Sequence, residues 1–281
     1  MSEASTLMLG LIAGGTIVLG LPLGRLRTPA PGLRTFLNST AIGVLVFLFW
    51  DVLTHAWEPI DAALGRLRDG TGGIGPVFGY GVLFLAGLST GLLSLAVYES
   101  WMNRRGNLSR PITGPGAMAS TEIAPRSSWS AARRLALLIA IGIGLHNFGE
   151  GLAIGGSAAH GDIALASVLV IGFALHNATE GFGIVAPLAA VGDRPGWGFL
   201  LLMGLIGGGP TFVGTAIGHR YTSDTLIVVF LTLAAGSILY VIIQLLGIAQ
   251  RAERRMLLYL GLLTGAAAGF VTDMIVTVGG A

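Results

Sequence analysis

The chain has no cysteine among its 281 residues. Disulfides, thiolate metal sites and cysteine nucleophiles are therefore excluded. It has no lysine either: all 16 basic residues are arginine. Charge of both signs is scarce, at 11% of residues, against about a quarter in soluble domains. No G-x-S-x-G elbow and no ATP-binding motif is present, so neither a serine hydrolase nor an ATP-driven machine is indicated. Only five histidines occur. What fills the space is apolar: 53% of residues are hydrophobic, with mean hydropathy +0.79 and 45 glycines. Gly is more frequent in membrane helices than in soluble ones. The composition reads as an all-α polytopic membrane protein whose principal partner is the lipid bilayer.

A spanning helix needs about 20 mostly apolar residues. Eight runs qualify, at about 7–24, 36–57, 75–98, 135–159, 162–190, 197–217, 224–247 and 256–278. The first is not read as a signal peptide, because its leading segment carries Glu3 and no arginine. Thirteen arginines fall in the segments after runs 1, 3, 5 and 7, and three (Arg66, Arg68 and Arg220) fall on the opposite side. The positive-inside rule then places both termini outside the cytoplasm of a multi-pass plasma (inner) membrane protein. The pI near 9.4 does not imply nucleic acid, since the arginines sit in loops between apolar runs. Residues 99–134, rich in Gly, Pro, Ser and Arg, read as a cytoplasmic linker. The whole chain, 1–281, reads as a single membrane domain.

Two short stretches echo each other inside these runs: HNFGEG at 146–151 and HNATEG at 176–181. On a helix, i and i+4 share a face, so His146, Asn147 and Glu150 converge on the fourth run, and His176, Asn177 and Glu180 on the fifth. The short link between the runs makes them antiparallel neighbours, with both motifs near the bilayer midplane. A charged group there costs roughly 2.5–3.5 kcal/mol, which makes an intramembrane ionisable residue a functional candidate. Two imidazoles, two carboxylates and two amide carbonyls form a mixed N/O set suited to a borderline divalent transition metal. The spacing is unlike a metalloprotease motif, in which two histidines four apart share one helix.

HNFGEGLAIG at 146–155 resembles the fourth-helix signature of the ZIP (Zrt-, Irt-like) divalent metal transporters, and HNATEGFGIVAPL at 176–188 resembles their fifth-helix signature in the GufA-like bacterial branch. GLIGGGPTFVGTAIG at 204–218, AAGSILYVIIQLL at 234–246 and GFVTDMI at 269–275 are similar to the sixth, seventh and eighth helices of that family. The resemblance spans essentially the whole chain. It implies eight helices in a 3+2+3 inverted-repeat arrangement, transport of Zn²⁺ (with Fe²⁺, Mn²⁺ or Cd²⁺ as alternatives) toward the cytoplasm, a binuclear centre formed by the six residues above, and a homodimer. Four positions depart from the family pattern. Gly149 and Thr179 stand where proline is usual, Gly209 precedes Pro210 where glutamate is often found, and Gln244 replaces a glutamate of the seventh helix. With only Glu150 and Glu180 as central acids, one bound metal is electrically balanced and two are not. Gln244 is then expected beside the site without ligating.

Asp51, His55 and Glu58 lie at the outer end of the second run and form an expected entrance site, with Asp273 of the eighth as a further outer-facing acid. Glu99 reads as an anchor closing the third run. Trp50, Trp57, Trp101, Trp129 and Trp197 read as interface anchors. The function expected is metal transport and not catalysis. Two rivals use the same side chains: an intramembrane metal-dependent hydrolase, and a proton-coupled carrier of an organic solute.

Overall fold

The structure, a computed structural model, describes residues 2–25, 31–108, 129–159, 163–221, 223–251 and 254–278. Eight helices among the described residues are long and apolar enough to cross a membrane, and no strand occurs there. The protein is an all-α polytopic membrane protein. This is the outcome that a non-aqueous solvent enforces, because a helix satisfies its backbone N–H and C=O groups within one segment.

We number the helices in chain order. α1 is the span Glu3–Arg25. It is capped by Ser2, whose Oγ accepts from the Ser5 N–H at 3.2 Å, interrupted at Thr16, and closed by the 3₁₀ turn Leu21–Arg25. α2 is Pro31–Arg68, α3 Ile74–Leu108, α4 Ala131–Ala159, α5 Ile163–Val191, α6 Trp197–Arg220, α7 Asp224–Gln250 and α8 Arg255–Val278.

Several boundaries differ from the sequence reading. α2 continues eleven residues past 57, through Pro59 and on to Arg68. That extension carries Glu58, Asp61, Arg66 and Arg68, too polar for a hydropathy reading. It stays helical because Ala56, Ile60 and Ala63 recur at helical spacing and are buried. α3 likewise runs ten residues beyond 98, and α4 begins at Ala131. The margins of the expected 99–134 linker are thus helical, while 109–128 lie outside the described residues.

The packing repeats itself. α4 lies on α6 as α5 lies on α1; α2 lies on α8 as α7 lies on α3; and α4 meets α7 as α5 meets α2. These are the neighbours expected when α1–α3 mirror α6–α8 about the central α4–α5 pair. The two repeats run in opposite senses: Arg220 at the end of α6 donates to Glu3 at the start of α1 (Nη2 to Oε1, 2.5 Å). Two layers of helices result. α1, α4, α5 and α6 pack together, α2 and α7 pack on α8 and α3, and α3 and α8 are the least buried spans.

Without water outside the bundle, close packing replaces the hydrophobic effect as the force between helices, and small residues permit it. The α4–α6 seam shows this most clearly. A side chain on Gly151 would strike the Thr211 carbonyl, and one on Gly214 would strike the Phe148 carbonyl. Backbone therefore lies against backbone at the depth of the HNFGEG motif. The α1–α5 seam repeats the arrangement, with Gly20 against the Ala178 carbonyl and Gly181 against that of Ile17.

The arginine-rich end is tied by specific contacts. Arg133 at the start of α4 grips Asp193 in the α5–α6 turn with two bonds, Nε to Oδ2 at 2.9 Å and Nη2 to Oδ1 at 3.0 Å. The hydrogen bonds from Arg133 hold the Asp193 carboxyl below the usual carboxylate range. Gly192 makes this turn possible with φ +72°. Arg34 of α2 donates to the Ala189 carbonyl of α5 (2.9 Å).

The seam sets a clear expectation for stability. Gly214→Val should cost about 3 kcal/mol or more, because overpacking against backbone has no side chain to yield. Gly79→Ala should be neutral or stabilising, since nothing lies within 4 Å of its Cβ position and Ala is the better helix former by about 1 kcal/mol. Thermal melts of the detergent-purified variants distinguish the two; equal melting temperatures would show that the close approach is not what holds α4 to α6.

Candidate metal centre

The HN-x-x-EG stretches sit at the middles of α4 and α5, and the helices bring them to one depth: the His146 and His176 rings are 6.2 Å apart by centroid. Their Nε2 atoms meet the same oxygen. His146 Nε2 is 3.0 Å from Glu150 Oε1, and His176 Nε2 makes a short contact to that atom. The ligand atoms of His146, Glu150 and His176 all lie within 4.8 Å of one another, the one such cluster of three among the described residues. A tetrahedral ion with bonds of 2.0–2.2 Å separates neighbouring donors by about 3.4 Å, so this spacing needs little adjustment to hold one.

The surrounding polar groups are buried and arranged in pseudo-symmetric fashion. Asn147 on α4 donates Nδ2–H to the Gly207 carbonyl of α6 at 3.0 Å. Asn177 on α5 donates to the Ala13 carbonyl of α1, also at 3.0 Å. Because a carbonyl can only accept, each amide is fixed with its NH₂ outward to a neighbouring helix. Both Oδ1 atoms are left buried without a partner. Glu180 is fully buried, and neither of its carboxylate oxygens has a hydrogen bond. Its charge is within electrostatic reach of His146, Glu150 and His176, though it falls outside the converging three.

Buried polar atoms are nearly always paired, and an unpaired one calls for an explanation. Here five buried oxygens, on Asn147, Glu150, Asn177 and Glu180, and the Nε2 of His146 lack hydrogen-bond partners at a cluster of nitrogen and oxygen ligands. Burying a carboxylate without compensation costs several kcal/mol. A divalent cation compensates two carboxylates at once, accepts neutral imidazoles, and uses amide carbonyl oxygens.

The motif departures behave as local chemistry dictates. Thr179 Oγ1 donates back to the His176 carbonyl at 2.7 Å, the mild perturbation a helical threonine makes. A side chain at Gly149 would press Leu231 of α7 at 3.2 Å, whereas one at Gly209 would meet only Leu205 at ordinary distance.

Of the residues expected at the entrance, Asp51 is half-buried on α2 and within electrostatic reach of His146, His176 and Asp273 of α8. His55 Nδ1 lies 3.6 Å from Asp51 Oδ1 and hydrogen-bonds the Asp51 carbonyl (3.0 Å). Glu58 is exposed one turn further on. Asp51 and Asp273 thus stand within electrostatic range of each other, while His55 and Glu58 lie toward the surface.

Gln244 has a different partner from the one expected. Its Nε2 donates to Glu99 Oε2 at 2.8 Å, and the buried Tyr240 hydroxyl donates to the same oxygen at 3.0 Å. Glu99, read from the sequence as a helix-end anchor, is instead an interior link between α3 and α7. The signal was present in the i, i+4 spacing of Tyr240 and Gln244, but nothing in the sequence paired them with a residue 141 and 145 positions away.

No family model and no curated protein matches the chain. The chemistry must therefore be argued from the site itself.

Replacing any of the three converging side chains should weaken divalent metal binding by at least ~10-fold, the scale at which even outer-shell groups act. Equilibrium dialysis of Zn²⁺ against purified His146→Ala, Glu150→Gln and His176→Ala proteins measures this. Unchanged affinity in all three would remove the site.

Proposed function

We propose that the protein is a divalent transition-metal transporter of the ZIP type, carrying Zn²⁺ toward the cytoplasm through the midplane site on α4 and α5. The observation that carries this reading is the buried set of donors: two Nε2 atoms and Glu150 Oε1 converge, with the unpartnered oxygens of Glu180, Asn147 and Asn177 around them. A polar cluster of this kind at the centre of a membrane bundle is costly unless an ion passes through it.

In this mechanism Asp51, within electrostatic range of Asp273, attracts a hydrated cation at the outer mouth, and His55 and Glu58 extend the negative and ligating surface outward. The ion exchanges water for His146, Glu150 and His176, while Glu180 completes the neutralisation of its double charge. The Asn147 and Asn177 carbonyl oxygens lie ready as further donors because their NH₂ groups are occupied elsewhere. Two central carboxylates balance one M²⁺, so the site takes a single ion.

Release requires the site to face the other side. The inverted packing supplies two groups of helices that can shift against each other, as in transporters built from inverted repeats. α1, α4, α5 and α6 move together, held by the glycine seams and by the Glu3–Arg220 and Arg133–Asp193 pairs at their two ends. The partner surface on α2 and α7 touches them through smoother apolar contact, with few polar bonds such as Ser237 Oγ to the Gly142 carbonyl (2.8 Å).

The test is metal uptake into proteoliposomes with an internal Zn²⁺ indicator. The wild-type chain should transport, and Glu180→Gln should reduce uptake at least ~10-fold while leaving the melting temperature within a few degrees, since the carboxylate has no bond to lose. Uptake at the wild-type rate by both Glu180→Gln and Glu150→Gln would contradict the reading. Lipid or amide hydrolysis without ion flux would favour the enzymatic rival.

A further inference from the structure

A groove of about 320 Å³ opens on the side of the bundle between α1 and α6, remote in function from the metal centre. Its floor is Leu21 and Leu200, both almost fully buried, and its walls include Val18, Pro22, Trp197 and Leu201. No polar side chain lines it. Val18, Trp197 and Leu201 are 46%, 63% and 68% exposed, so the trough faces outward, where the bilayer surrounds the protein.

One end of this trough is strongly cationic. Arg25, one turn after Leu21, lies over the Trp197 ring with its guanidinium carbon 4.8 Å from the centroid and donates to the Pro195 carbonyl. Arg194 donates Nη2–H to the Arg25 carbonyl at 3.2 Å. Among the described residues neither guanidinium has a carboxylate partner. The acid nearest in sequence, Asp193, is engaged by both arms of Arg133. Two positive charges thus stand at the mouth of an apolar trough, held by backbone carbonyls and an indole face and left uncompensated.

We propose that this groove is a binding site for an anionic glycerophospholipid, with one acyl chain along Leu21, Leu200 and Leu201 and its phosphate on Arg25 and Arg194. The apolar trough matches a hydrocarbon chain. Guanidinium groups match phosphate oxygens in planar, paired geometry. The charge decides between headgroups. A zwitterionic lipid brings an ammonium that finds no carboxylate here, and the Trp197 face that could receive it is covered by Arg25. An anionic headgroup meets two cations without carboxylate partners, and the neighbouring carboxylate, Asp193, is held by Arg133. Arginine-rich segments at the membrane surface attract anionic lipid in general; the trough adds a place for the chain. The bound lipid braces α1 against α6 at the end opposite the Glu3–Arg220 pair.

The experiment is lipid-dependent thermal stability and native mass spectrometry of the full-length protein. Phosphatidylglycerol is compared with phosphatidylcholine of the same acyl chains, and inorganic phosphate is tested alone. Phosphatidylglycerol should raise the melting temperature by about 3 °C over phosphatidylcholine, the shift a modest binding energy gives a chain of this size, and should remain bound in the mass spectrometer. The preference should vanish in Arg25→Gln/Arg194→Gln. It should also vanish in Leu201→Trp, which fills the trough from an exposed position and leaves both arginines in place. Equal stabilisation by the two lipids, or a preference that persists in both variants, overturns the proposal. A full shift from inorganic phosphate alone also overturns it, because that is a free-anion site without a chain.

Discussion

A carboxylate oxygen facing two imidazole nitrogens inside an apolar bundle is the interaction on which the rest of the structure depends. Glu150 Oε1 lies 3.0 Å from His146 Nε2 and in closer contact with His176 Nε2. In such surroundings the charge of a carboxylate is poorly screened and its loss of hydration is expensive. The fold must therefore present the histidines on two helices at one depth. The α4–α5 antiparallel pair does this, and the glycine seams of α4 with α6 and α5 with α1 hold that depth to within a side chain's width.

The same seams position the asparagines. Asn147 reaches α6 and Asn177 reaches α1 through identical bonds to backbone carbonyls. One constraint therefore serves two ends: close helix approach brings a carbonyl within reach of each amide, and that bond frees each Oδ1 toward the interior. The inverted pairing of α1–α3 with α6–α8 explains why the two halves solve the problem alike. It also sets α1, α4, α5 and α6 apart from α2, α3, α7 and α8, the division on which the proposed alternating-access movement rests.

Much of this was legible in the chain, for a physical reason. Apolar length is forced by bilayer thickness, so all eight helices announced themselves, and i, i+4 geometry placed His146 with Glu150. The misses have causes as well. The continuation of α2 past Pro59 rests on Ala56, Ile60 and Ala63 forming a narrow buried stripe under a polar surface, which averaged hydropathy conceals. Which glutamate bridges the histidines depends on helix rotation, and the sequence treats Glu150 and Glu180 as equals. The structure does not: Glu150 joins both rings, and Glu180 is buried without a hydrogen bond. The partnership of Gln244 and Tyr240 with Glu99 is a long-range contact of α3 with α7 that no local pattern encodes. The lateral groove between α1 and α6, finally, is a property of packing that no local pattern announces.

The central claim is that His146, Glu150 and His176 together hold a divalent cation. X-ray absorption at the zinc edge of the purified, Zn²⁺-loaded protein tests it most directly. The account predicts a shell of two imidazole nitrogens with oxygen donors at 2.0–2.2 Å, falling to one imidazole in His176→Ala. A shell of oxygen alone, or an imidazole count unchanged by that substitution, would contradict it.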